Sequence, residues 1–209
     1  MDMRQELDLA HLRAGFTTPV YDAQACFRHL LEALARPGQI QRLDALPTPP
    51  AGLGAAQSAL LLALADHDTP VWLAAVLRNG EAGDYLRFHC GCPLVANSAD
   101  AQFVALSALT ELPALDELRV GEPNFPDRSA TLIVEVADLA AGGPLHLRGP
   151  GIADRTGLFV AGWTDTATTL MQTNRRRFPL GIDLVLTCGD RVAGLPRTVH
   201  LTEEEAACT

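Results

Sequence analysis

A chain of 209 residues, 48% of them hydrophobic, is long enough to bury one full-sized core, and nothing in its length asks for another, so one domain over residues 1–209 is expected. A formal charge of -9 and a pI near 5.0 exclude the basic face on which nucleic-acid binding depends. All 16 basic side chains are arginine, which rules out a lysine Schiff base to pyridoxal phosphate, a Gly-Lys-Ser/Thr phosphate loop and a lysine general base; arginine's planar fork still suits phosphate or phosphonate oxygens.

Met1 to Arg13 is a polar lead-in with no apolar signal core, to which no element is assigned, and a cytoplasmic location is expected. After the extended stretch Ala14 to Pro19, Asp22 is a suitable N-cap. Ala23, Cys26, Phe27, Leu30, Leu31 and Leu34 then recur at helical spacing until Arg36-Pro37-Gly38 ends them, which predicts an amphipathic helix burying those side chains, with Arg28, His29 and Glu32 outside. Gln39 to Leu43 reads as a short strand before the surface loop Pro47 to Gly54. Ala55 to Ala65 is apolar nearly all round, as expected for a buried helix; its run Ala59 to Ala65 falls far below the roughly 18 residues of a membrane span.

Val71 to Leu77 lacks alternation and predicts a central strand covered on both faces, ended by the turn Arg78-Asn79-Gly80. Tyr85 to His89 alternates, which predicts a strand with Leu86 and Phe88 on one face and Tyr85, Arg87 and His89 on the other. Ser98 to Leu109 fits helix or strand equally, and Leu112 to Leu118 reads as a short helix. Thr131 to Val136 is a buried strand, and Leu145 to Arg148 another before Gly149-Pro150-Gly151. Trp163, Ala167, Leu170, Met171 and Asn174 mark the last helix, which Arg175 to Arg177 complete at its negative end and Pro179 stops. Ile182 to Thr187, the Gly189-Asp190 turn and a shorter returning strand form a hairpin. Strands mixed with helices point to three layers around a mixed sheet.

No catalytic constellation is complete. His89-Cys90-Gly91-Cys92 could open a zinc site, but no second ligand pair follows, and five scattered cysteines in a chain of this size read as reduced thiols. Gly149 to Asp154 lacks the third glycine of a phosphate-binding turn, and none of the serines at 58, 98, 107 and 129 sits in a Gly-x-Ser-x-Gly setting. Asp66/Asp68 and Glu203 to Glu205 read as a loop and a solvated tail. The residues left for ligand binding or subunit contact are Arg28, Arg87, His89, Arg148, Asp183 and Arg197, with Asp183 expected to be held by hydrogen bonds or an arginine rather than to act as an acid or base.

Several stretches together carry a resemblance. Pro19 to Arg28, Ala35 to Gly38, Asp66 to Leu73, Leu86-Arg-Phe-His89 with Pro93 to Val95, Ala130 to Ile133, Phe178 to Gly189 and Leu195 to Thr198 resemble the PhnH family, subunits of the bacterial carbon-phosphorus lyase system, in the family's order and over most of the chain. The resemblance implies a three-layer α/β/α fold related to the pyridoxal-phosphate-dependent transferases without their cofactor site, and a homodimer. It implies a core complex that converts ATP and an alkylphosphonate, such as methylphosphonate, to a ribose 1-phosphonate 5-triphosphate with loss of adenine. It further implies that iron-sulfur and S-adenosylmethionine chemistry belongs to partner subunits. On that footing the chain is an accessory subunit binding no cofactor or metal of its own; the alternative is a subunit lending arginines to a shared substrate or nucleotide site. Cys90, Cys92 and the acidic tail are not features of the family pattern.

Overall fold

The computed structural model describes residues 12–202, so most of the polar lead-in, the acidic run Glu203 to Glu205 and Cys208 lie outside the described residues. The first helix, α1, is Pro19–Ala35. It starts three residues before the expected cap, because Pro19 enters with its φ already set for the first turn and Asp22 caps from within, accepting the Thr18 N–H at 2.7 Å. Cys26, Leu30 and Ala33 face the core, whereas Phe27 and Leu31 stay 43% and 49% exposed. The expected burial of those two is therefore corrected: the apolar arc of α1 is wider than the surface it packs against.

Two-residue β1 (Gln41–Arg42) precedes α2 (Ala55–Leu64), whose residues Ala56 to Leu61 are all buried. The predicted central strand is shortened and displaced: β2 is only Val71–Leu73 and lies at the sheet edge, and the chain then turns at Ala74 into the short helix α3 (Ala75–Arg78). The absence of alternation came from a strand running into a helix. Tyr85 to His89 belong to a helix, α4 (Ala82–Cys90), where Ala82, Tyr85 and Leu86 supply the buried i, i+3, i+4 face and Gly91, at φ 65°, closes the last turn. The five-residue alternation was too short to separate the two periods.

β3 is Phe103–Leu106, and the expected helix over Leu112 to Leu118 reduces to one 3₁₀ turn, Leu115–Glu117. A hairpin of β4 (Val120–Glu122) and β5 (Phe125–Ser129) follows, then β6 (Thr131–Glu135). β7 (Leu139–Arg148) is more than twice the expected length and pairs with β8 (Thr156–Val160) through a register irregularity at Gly142-Gly143. A Cβ on Gly143 would lie 2.2 Å from the Phe159 backbone nitrogen, so only glycine lets these strands approach. Helix α5 (Asp165–Arg176) is capped by the Thr164 hydroxyl, which accepts the Ala167 N–H at 3.0 Å. The hairpin of β9 (Asp183–Cys188) and β10 (Arg191–Leu195) turns at Gly189-Asp190 as expected, and β11 (His200–Thr202) ends the described chain.

Six strands form the central sheet in the order β1-β10-β9-β6-β3-β2. β9, β6, β3 and β2 run parallel, while β10 pairs antiparallel with β9 and β1 antiparallel with β10. One face, with Ala105, Ile133 and Val185, packs on α1, α2 and α4. The other, with Val104, Leu132 and Leu184, packs on α5 and on the small sheet β11-β7-β8. The fold is thus mixed α/β around a mixed sheet, and one outer layer is partly β. No helix among the described residues is long and apolar enough to cross a membrane.

Candidate functional site

Of the residues singled out in the sequence, Asp183 and Arg197 meet. The Asp183 Oδ1 accepts the Arg197 backbone N–H at 2.9 Å and its Nε–H at 3.2 Å, and Oδ2 lies 2.6 Å from Nη2. Arg197 also donates to the Pro126 carbonyl at 2.7 Å and to the Ser129 hydroxyl. With the side chains of Arg197 and Asp183 12% and 23% exposed, this pair ties β9 and the segment after β10 to the β4/β5 hairpin. Asp183 is held by an arginine, as expected, and Arg197 has no free edge for a ligand.

Arg87 and His89 share α4 but not a face. Arg87 Nη1 lies 3.2 Å from Asp84 Oδ1, whereas the His89 ring sits 4.5 Å from the Tyr85 ring, and its Nε2–H donates to the Arg13 carbonyl at 2.9 Å. The grouping of Tyr85, Arg87 and His89 on one strand face is therefore corrected; Tyr85 is 1% exposed. Arg28 is exposed on α1, and Arg148 is exposed at the end of β7 with Asp154 at 3.4 Å. The six candidates do not form one cleft.

Two adjoining cavities surround the turn between α3 and α4. The larger, about 580 Å³, opens beside the C-terminal end of β2 between Arg78, Asn79, Asp84 and Arg87, over Leu73, Leu94 and Val95. The smaller, about 260 Å³, shares Asn79, Gly80 and Asp84 and is bounded by Arg13, Glu81 and Tyr85. The Tyr85 hydroxyl is buried without a hydrogen-bond partner among the described residues. Burial holds its pKa above the usual tyrosine range, with Cys90 adding to the shift. The sequence marked Arg78 and Asn79 only as a turn; the missed signal was a second arginine on the other side of that turn, which the helical period of α4 brings back to the same cavity.

At the C-terminal ends of β6 and β9 lies a half-buried carboxylate that the sequence did not single out. Glu135 accepts from the Thr187 hydroxyl and, at 3.4 Å, from the Gly189 N–H. Its pKa is raised by burial, against the lowering effect of those bonds. A Cβ at Gly54 would lie 2.1 Å from Glu135 Oε2, so the first turn of α2 closes over the group. Beside it, Gln57 donates at 2.9 Å to the carbonyls of Leu106 and Ile133, joining β3 to β6 beneath the helix.

The Cys90 thiol donates to the Leu61 carbonyl at 3.8 Å; interaction with the neighbouring Cys92 thiol, with burial, raises the pKa of Cys90, and the same interaction lowers that of Cys92. Burial and the nearby Asp22 carboxylate push Cys26 to about 11. Among the described residues no three His, Cys, Asp or Glu side chains gather to hold a metal. The hydroxyls of Ser98 and Ser107 bind the Glu117 carbonyl and the Glu111 carboxylate. Ser129 serves Arg197, and the Ser58 hydroxyl is buried without a partner among the described residues. No serine among the described residues is joined to a histidine.

Fold and site together define a mixed α/β domain whose polar clusters act as structural ties, apart from an open, arginine-lined cavity at the sheet edge. The model of the family "Bacterial phosphonate metabolism protein (PhnH)" matches residues 14–202, and the chain belongs to that family. Over 190 residues it is 42% identical to the alpha-D-ribose 1-methylphosphonate 5-triphosphate synthase subunit PhnH of Rhizobium meliloti (strain 1021), covering 91% of this chain and 95% of that one. It is 32% identical over 179 residues, 85% of each chain, to the putative C-P lyase subunit protein HtxG of Stutzerimonas stutzeri.

Proposed function

We propose that this chain is a subunit of a carbon-phosphorus lyase assembly forming ribose 1-methylphosphonate 5-triphosphate from ATP and methylphosphonate, and that it acts through assembly rather than through a reaction of its own. The observation that carries the reading is the 42% identity, over nearly the full length of both chains, to a relative named as a subunit of that synthase. Two features support it. No nucleophile and base are paired among the serines and histidines of the described residues, and Val20, Phe27 and Leu31 stand exposed along one flank of α1, where another subunit would cover them. A homodimer in the cytoplasm, a fold akin to the pyridoxal-phosphate-dependent transferases, and no cofactor bound by this chain complete the reading. The lack of any lysine supports the last point.

Reconstitution of the partner subunits with and without this chain, following adenine release from ATP in the presence of methylphosphonate, tests it. Turnover is expected only with the chain present, and none from the chain alone. Turnover by the isolated chain, or undiminished turnover by the partners without it, would refute the proposal.

A further inference from the structure

Beyond a role in assembly, we infer that the cavity at the C-terminal end of β2 binds a small phosphoryl or phosphonyl anion between Arg78 and Arg87. Its volume of about 580 Å³ falls within the range of metabolite sites, and it opens beside the carboxyl end of β2, at the edge of the parallel strands. The charged side chains on its wall are two arginines and one aspartate, a positive excess in a chain of net charge -9. Asp84 engages Arg87 through Nη1 at 3.2 Å, which orients the guanidinium and leaves its other edge open. Arg78 is exposed, with no ion pair among the described residues.

Two arginines lining one cavity suit the tetrahedral oxygens of a phosphoryl or phosphonyl group, which accept paired N–H donors. The adjoining cavity of about 260 Å³ offers room for the remainder of a larger ligand, beside Glu81 and the buried Tyr85 hydroxyl that lacks a partner among the described residues. The whole site is built by one chain, so it does not depend on the assembly proposed above; only the choice of a phosphonate as one candidate ligand rests on that reading.

Calorimetric titration of the isolated protein with methylphosphonate, inorganic phosphate, ribose 5-phosphate and ATP, each at matched ionic strength, tests the inference. At least one probe is expected to bind once per chain, about tenfold or more weakly in Arg78→Gln and in Arg87→Gln, and with unchanged affinity in Arg148→Gln, which lies elsewhere. Binding of methylphosphonate or phosphate alone identifies a bare anion as sufficient, whereas binding restricted to ribose 5-phosphate or ATP identifies a phosphate ester reaching the second cavity; either supports the site. Thermal melts establish that the variants are folded. Absence of saturable binding by all four probes, or binding of unaltered strength in either cavity variant, overturns it. Association of non-binding variants with the partner subunits would leave the assembly reading standing, and failure of the wild-type chain to associate with them while it still binds the anion would overturn that reading alone.

Discussion

Arg197 uses three sides of its guanidinium within the protein: Asp183, the Pro126 carbonyl and the Ser129 hydroxyl. Removing either member of the ion pair leaves a poorly solvated charge, so Arg197→Gln is expected to lower the unfolding free energy by about 2–4 kcal/mol and Asp183→Asn by about 1–3 kcal/mol, read from urea unfolding. Losses within about 0.5 kcal/mol would return both residues to the list of free ligand candidates. Glu135 tests the same environment through pH. Its folded-state pKa is raised, so the native state holds the proton where the unfolded chain has released it. Stability from this group is complete below the unfolded pKa and is lost as pH rises through the folded one. Glu135→Gln should therefore flatten the fall in stability from acid towards neutral pH, while its amide oxygen still accepts from Thr187 and Gly189. An unchanged urea-midpoint profile across that window would show that the carboxylate is already ionised in the fold.

α1 divides its apolar residues between two surfaces. Cys26, Leu30 and Ala33 join the core, while Val20, Phe27 and Leu31 remain outside. Because the outer side chains are about half exposed or more, Phe27→Ser and Leu31→Ser should each cost less than about 1 kcal/mol in urea unfolding but reduce co-purification with the partner subunits. A large loss of stability would assign these side chains to the core after all, and unaltered co-purification would place the interface elsewhere. α4 shows how an element's type decides which residues act together. As a strand it would project Arg87 and His89 side by side; as a helix it turns Arg87 towards Arg78 and His89 towards the segment before α1. The proposed anion site depends on that rotation.

For the whole molecule, the six-stranded sheet is flanked by helices on one face and by α5 with a second sheet on the other, so both faces of β6 and β9 are dry. That architecture holds Glu135 and the Asp183–Arg197 pair half-buried in the framework and leaves an open polar cavity of about 580 Å³ at the edge, beside β2. Such a division fits a subunit whose interior gives rigidity and whose periphery meets ligands and partners. It is the reason the reconstitution is expected to show dependence on this chain without activity from it alone.

The amino-acid sequence by itself determined the parts whose signal is local. These are the helices α1, α2 and α5 with their terminating Arg-Pro-Gly, Asp-His-Asp-Thr-Pro and Phe-Pro segments, the Gly189-Asp190 hairpin, the exclusion of lysine chemistry, and the family, through motifs spread over most of the chain. It also required Asp183, polar at the head of an apolar strand, to find a partner. Which partner was a matter of tertiary structure, because Arg197 reaches Asp183 only when β10 folds back along β9. The edge position of β2, the helical state of Tyr85 to His89 and the exposure of Phe27 were likewise decided by packing: short apolar runs satisfy both periods, and an apolar arc does not specify how much of it a neighbour will cover. The cavity between Arg78 and Arg87 was the least legible feature, since it exists only where the turn after α3 and the first turns of α4 close against Leu94 and Val95.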